Sequence, residues 1–351
     1  MLDVAMDDRK QRVLRAIVTL YATEGEPVGS GLLARYFQSA VSSATLRNEM
    51  AALTKLGLLE QPHTSAGRIP STKGYRYYID NLMGDGAALA KREKAEIDEA
   101  FSEMDFDPER LAQSAARALA ELSGCAVVAT TPQSDDACIA HYEVVQVGQY
   151  TAAVLAVTNS GGVHTRTAKL DAPLTPQETR LLTQALNSAL AFHSFADITK
   201  EMLQRQAKDV SAGENDYYPI FLAAYKLSCE SGKSKVFFKG QQNLLGYRET
   251  DESIHMLLEF FGNPEAVSET ISAKSERTTV LLGDEIPRYP MPGLCIMTKQ
   301  YHAGGGRTGA IGIVGPTRMP YREFLPKLEY FAALLGQCMS GGRQQEEKRE
   351  K

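Results

Sequence analysis

The stretch Val41–Tyr78, VSSATLRNEMAALTKLGLLEQPHTSAGRIPSTKGYRYY, constrains this chain more than any other. Ser42 and Ser43 are good N-cap residues, and a helical pattern follows them at once. Leu46, Met50 and Leu53 recur at i, i+4 and i+7, which predicts one buried stripe. Ala44, Arg47, Asn48, Ala51 and Lys55 then fall on the opposite face. That face joins a forked donor and an amide to two side chains small enough for close approach. Arg can bond the O6/N7 edge of guanine, Asn the N6/N7 edge of adenine, and an alanine methyl can touch thymine. Taken alone, such a face fits a solvated surface as readily as a recognition surface. The flanking residues tip the balance. Upstream, Gly29-Ser30 opens a short apolar segment (Leu32, Leu33, Tyr36, Phe37), and Gln38 to Val41 has turn length, which predicts a helix-turn-helix. Downstream, Gly57 stops the helix, Leu58 to Gln61 starts a strand, Pro62 to Gly67 is a polar tip, and Arg68-Ile69-Pro70 returns. Helix-turn-helix followed by a two-stranded ribbon is the winged-helix plan. Its tip offers His63, Thr64, Ser65 and Arg68 as phosphate or minor-groove donors.

The segments SSATLRNEMA and GLLEQPHTSAGRIPSTKGYRYY closely resemble the family of heat-inducible transcription repressors called HrcA. Departures are conservative, as at Leu46, and a weaker likeness extends over nearly the whole chain, notably at Gly315-Pro316-Thr317-Arg318-Met319. The resemblance implies a dimeric winged-helix repressor of chaperone operons. It implies binding to an inverted-repeat operator, CIRCE, and activity maintained by the GroE chaperonin. It also implies a GAF-like domain interrupted by an inserted dimerising domain. The DNA-binding residues expected are then Ser42, Ser43, Ala44, Thr45, Arg47, Asn48 and Lys55 on the helix, with His63, Thr64, Ser65 and Arg68 on the wing.

Charge distribution agrees with one confined DNA-facing surface. Between Arg35 and Arg76 six bases face two acids, a net +4 that leaves −9 for the rest of a chain whose total is −5. The remainder is thereby repelled from phosphates. The five cysteines (Cys125, Cys138, Cys229, Cys295, Cys338) are scattered and lack CxxC spacing, so they read as reduced core residues, not a disulfide frame or zinc site. No segment approaches 18 consecutive apolar residues and no basic start precedes an apolar run. A cytoplasmic protein is expected.

At 351 residues, two or three domains are expected, of α+β class. Residues 1–84 form the winged helix-turn-helix, beginning with a helix capped by Asp7 or Asp8 and ended by Gly25. Residues 85–106 are a helical linker after Gly84-Asp85-Gly86. Residues 107–212 begin the GAF-like antiparallel sheet domain: a helix from Asp107-Pro108 to Gly124, then strands Cys125–Thr131, Ile139–Val147, Tyr150–Thr158 and Val163–Lys169. Thr175-Pro176-Gln177-Glu178 is a capping box opening a long helical region. A break at Gly213–Asp216 starts the candidate inserted dimerisation domain, 213–275, with Leu244, Leu245, Leu257, Leu258, Phe260 and Phe261 as apolar anchors. Each of these also fits a place in the block's own core. Strand character returns over 276–340, ending in a helix from Tyr321 to Met339, and 341–351 is a polar tail expected to be disordered.

Enzymatic signatures fail on context. Gly304, Gly306 and Gly309 satisfy GxGxxG, but a strand follows where the pyrophosphate needs a helix N-terminus. Gly232-Lys233-Ser234 imitates the end of a P-loop, yet Leu227 stands where its first glycine is required. No histidine sits in an HExxH or at helical spacing from a second ligand, no GxSxG is present, and no catalytic carboxylate pair stands out. No cofactor or metal is expected. The alternatives are a one-component regulator whose GAF-like domain binds a small effector, an enzyme with an attached winged helix, and a winged helix used for protein contacts.

Overall fold

A computed structural model describes residues 6–340 except 64–65, 85–87, 103, 105–106, 134–137, 160, 194–197, 211–215, 232, 273–274 and 276. Thr64, Ser65, the breaks expected at Asp85-Gly86 and at Gly213–Asn215, and the tail 341–351 lie outside the described residues. The fold mixes helices with antiparallel sheet, the class expected at that level.

The chain opens with α1 (Asp8–Glu24), capped by the Asp7 side chain and closed by Gly25 in the left-handed conformation. Next come α2 (Ser30–Tyr36) and α3 (Ser43–Lys55). The ribbon strands β1 (Leu59–Glu60) and β2 (Ile69–Pro70) pair antiparallel, and Val28 bridges Arg68 beside them. The bridge needs glycine at 67, because a Cβ there would lie 2.4 Å from the Val28 carbonyl. A short α4 (Thr72–Tyr77) runs into a π turn, Tyr78–Leu82. Then follow α5 (Lys91–Ser102), α6 (Pro108–Ser123) and β3 (Ala126–Thr130).

The next elements are β4 (Ile139–Gly148), β5 (Thr151–Thr158), β6 (Val163–Lys169), α7 (Pro176–Leu190), α8 (Lys200–Val210) and α9 (Tyr218–Ser231). The chain continues through β7 (Val236–Lys239), α10 (Ile254–Phe261), α11 (Pro264–Ile271), β8 (Thr279–Leu282), β9 (Leu294–His302), β10 (Thr308–Pro316) and α12 (Tyr321–Met339).

Two compact units emerge: Met1–Thr131 with Lys235–Gly304 and Gly309–Lys351, and Pro132–Ser234 with Gly305–Thr308. The first contains a five-stranded sheet in the order β7-β3-β10-β9-β8. Its two faces are sorted by alternate residues. Val127, Ala129, Cys295, Met297, Ile311 and Ile313 join the core of α6 and α12, while Ala126, Val128, Leu294, Ile296, Ala310 and Val314 join that of α10 and α11. A strand covered on both sides is apolar wherever no partner is at hand: all five residues of β3 are buried, four of them apolar, and the Thr130 hydroxyl accepts from the Ala310 amide at 2.9 Å. The second unit is a β4-β5-β6 meander whose one face packs against α7, α8 and α9. There β5 alternates between buried and half-buried residues, the mark of a one-sided sheet.

The compact units differ from the expected boundaries. The interposed unit is Pro132–Ser234, not 213–275: β4 to β6 pair among themselves, whereas β3 pairs antiparallel with β7 and β10. The expected 213–275 block is divided, since α9 belongs to the second unit and everything from Lys235 to the first. No separate compact unit ends near residue 84 either, because Tyr75, Tyr78 and Leu82 share one core with α12, and the Tyr75 and Tyr321 rings lie 6.0 Å apart. The expected linker helix is likewise packed. Ile97 and Phe101 are buried, Phe101 meets Phe331 edge-on at 5.3 Å, and Tyr330 donates to Asp98 at 2.9 Å.

Candidate nucleic-acid interface

The helix α3 starts where Ser42 Oγ accepts from the Thr45 amide at 3.1 Å. It buries Leu46, Met50 and Leu53. The opposite face exposes Ala44, Arg47, Asn48, Ala51 and Lys55. Among the described residues, Arg47, Asn48 and Lys55 have no side-chain hydrogen bond or ion pair, so their donors stay available. Glu49, the one carboxylate on the helix, is neutralised by Lys10 at 3.3 Å and Arg9 at 3.8 Å from the start of α1. The α2–α3 turn holds Gln38 (φ 52°) and Ser39 (φ 58°) in the left-handed region, with the Ser39 amide bonded to Ala34 O at 2.8 Å. Two successive non-glycine residues there cost energy that packing of the helix pair offsets.

Not every expected DNA-facing residue shares that face. Ser42 is exposed, but Ser43 is half-buried and turns its hydroxyl to Ser30 Oγ at 2.9 Å, while half-buried Thr45 meets Ser42 Oγ at 2.8 Å. These residues shape the turn instead of extending outward. On the ribbon, His63 is exposed. Arg68 is half-buried, its Nε donating to Thr54 Oγ1 at 3.2 Å and Nη1 to Gly67 O at 3.3 Å. It thereby ties the ribbon to α3.

Besides Arg68, two more of the six bases counted between residues 35 and 76 have internal roles. Lys73 Nζ donates to Leu56 O at 2.9 Å, capping the end of α3. Arg76 reaches Glu285, Asp80 and the Val280 carbonyl. Partial burial pulls the Arg76 pKa down, but Glu285 and then Asp80 more than offset this and leave it above its ordinary value. The sequence signals no such role, because Glu285 lies more than two hundred residues away in the chain.

Of the six apolar anchors expected for dimerisation, Leu244, Leu257 and Phe260 are buried in the core of the first unit. Phe261 is partly buried, against Phe238 at 5.1 Å. Leu245 and Leu258 are exposed. A cavity of about 480 Å³ opens between α6 and β7, lined among others by Arg117, Glu121 and Lys239. Among the described residues, no helix is long and apolar enough to cross a membrane.

Comparison with known proteins places this geometry in context. A family model described as the HrcA protein C terminal domain matches residues 109–325. A heat-inducible transcription repressor HrcA of Halalkalibacterium halodurans is 33% identical over 97% of this chain and 99% of its own. Another of that name, from Moorella thermoacetica, is 33% identical over 95% of this chain and 98% of its own. A crystal structure described only as a hypothetical protein aligns with a TM-score of 0.63 at 24% identity, covering 96% of this chain and 99% of that one, which speaks for the fold alone. By the family model and by the near-full-length identity, the chain belongs to the HrcA family.

Proposed function

We propose that this protein is a sequence-specific, DNA-binding transcription repressor of heat-shock chaperone operons, binding the inverted-repeat CIRCE operator as a dimer. It is read as a winged helix-turn-helix attached to a GAF-like sheet domain. The observation that carries the reading is the face Ala44, Arg47, Asn48, Ala51 and Lys55, exposed and without internal partners among the described residues. The helix α3 enters the major groove, the ribbon lies on the flanking backbone, and two copies read the two halves of the repeat. Repression follows from occupancy of the operator. The relatives are named repressors, and no enzymatic step is assigned to this chain.

The dimer contact is assigned to the interposed unit, on the family expectation of an inserted dimerising domain. Val147, Val163 and Phe192 leave apolar surface exposed there. Leu245 and Leu258 keep a secondary claim. The GroE chaperonin is the expected helper of the DNA-binding form. The deciding experiment is binding of the full chain to a CIRCE duplex and to a scrambled duplex over a salt series. A tighter complex with the operator at every salt supports the reading, and equal affinities overturn it.

The cavity beside Arg117 and Lys239 favours a second reading, an effector-controlled regulator that takes a small carboxylate. Neither cation has an internal partner among the described residues. Calorimetric titration with a panel of carboxylic acids, followed by operator binding, tests it. Saturable binding that changes operator affinity is required.

A further inference from the structure

Two guanidinium groups, one from each side of the contact, add polar ties to the apolar core that joins the DNA-reading helices to the sheet. Arg76, on α4 just after the ribbon, donates from Nε to Glu285 Oε1 at 3.0 Å and from Nη2 to Glu285 Oε2 and to Val280 O, the latter at 2.7 Å. Asp80 accepts from Nη1 at 3.4 Å. Glu285 is itself fixed, since Oε2 accepts from the Leu282 amide at 2.9 Å. At the other point, Arg318 of the Gly315–Met319 motif lies against Gly25, where a Cβ would come within 3.3 Å of the guanidinium carbon. Its own guanidinium stacks over the Tyr247 ring at 5.3 Å. Gly25 is the cap of α1, the helix on which α3 packs.

We propose that Arg76 and Arg318 are positioning residues that fix the angle of the reading helices on the sheet, and through it the half-site spacing that the dimer accepts. The inference rests on the DNA-binding reading above. A fork that grips both oxygens of one carboxylate and a carbonyl resists rotation, which one point charge does not. Exposed ion pairs contribute little to stability, so the effect belongs to orientation. With two heads linked through a dimer, an error in their angle appears as tolerance of wrong spacing, not as loss of half-site contact.

The experiment uses the full chain on CIRCE duplexes whose spacer is changed one base pair at a time, and on a single half-site. Wild type is expected to prefer the natural spacer roughly tenfold or more. Arg76→Ala, Glu285→Gln and Arg318→Ala should cut that preference to about twofold, with single-half-site affinity and salt slope unchanged. Arg76→Lys should not restore it, because it keeps the charge and loses the fork. Restoration by Lys, or a lower salt slope for Arg76→Ala, would mark Arg76 as a phosphate contact and overturn the proposal. An unchanged spacing profile in all three variants would overturn it too. Pulsed EPR distances between labels at Ala51 and Gln337, in protein diluted with unlabelled chain, give a readout without DNA. The distribution should broaden in the variants, and an identical width refutes the clamp. Wild type that ignores the operator sinks the DNA-binding reading instead, while the EPR result still decides the mechanics.

Discussion

At the residue scale, Arg47 and Asn48 extend from the early turns of α3, the region from which base edges are reached. Arg47→Ala is expected to cost roughly 1–3 kcal/mol on the operator and little on random DNA. Equal losses on both would remove it as a base reader. Arg68 behaves differently, being tethered through Thr54 Oγ1. Arg68→Ala should weaken both DNAs and lower the salt slope by about one, while Thr54→Val should weaken binding with the slope unchanged. Two buried thiols supply a pH test. Burial pushes Cys125 up to about 11 and Cys295 up to about 12, both from an ordinary 9.0. The unfolded chain therefore loses these protons first. Their stabilising effect is full below pH 9.0 and is lost as pH rises through about 11 to 12. In the folded protein at neutral pH, both should resist a thiol reagent until denaturant is added. Modification of either at the rate of a free thiol would contradict their burial.

At the element scale, the ribbon and α4 depend on close backbone approach. A Cβ on Gly74 would lie 2.0 Å from Leu58 O, so α4 packs on the connection between α3 and β1 only without a side chain there. Gly74→Ala should destabilise by about 2 kcal/mol or more, read from denaturant midpoints. Ser42→Ala should cost roughly 0.5–2 kcal/mol through loss of the cap. If Gly74→Ala proved the milder of the two, the close packing of α4 would be wrong. Much of this part is legible in the sequence. Ser42, Gly25, Asp107-Pro108, Gly124 and the Thr175–Glu178 box all act where local chemistry puts them. The helix expected to run on from Thr175 stops at Leu190, however, and resumes at Lys200. The inward turn of Ser43 was also hidden, because its partner Ser30 belongs to another helix.

At the scale of the whole molecule, β3 must find β7 and β10 across the interposed unit. Pairing at such separation is slow and leaves apolar strands exposed in the meantime. Refolding from denaturant should therefore give little operator-binding activity alone and several-fold more with GroE chaperonin and ATP. An unrelated unfolded competitor should abolish the gain. Complete recovery without chaperonin would remove GroE as the helper of the DNA-binding form. Dimerisation is tested on the same scale by sedimentation. Val147→Glu with Val163→Glu should yield monomer, and Leu245→Glu with Leu258→Glu should have the smaller effect. The reverse order would move the contact to the first unit.

Capping side chains, the 3.6-residue stripe of α3 and the strand segments lie in the sequence itself, because each is set by residues within a few positions of one another. The family likeness was legible for the same reason, since it rests on contiguous wording around α3 and the ribbon. Which strands share a sheet was not. β3 and β4 follow one another as similar strands, and only their burial distinguishes them: β3 is covered on both faces, whereas β4 exposes alternate residues over much of its length. Tertiary structure also decided that Arg76 holds Glu285, that Arg318 backs Gly25, and that Leu244, Leu257 and Phe260 are core. The physical reason is common to all of these. A side chain's periodicity says that it will be buried or paired, but its partner is chosen by chain closure over a hundred residues or more, which no local pattern encodes.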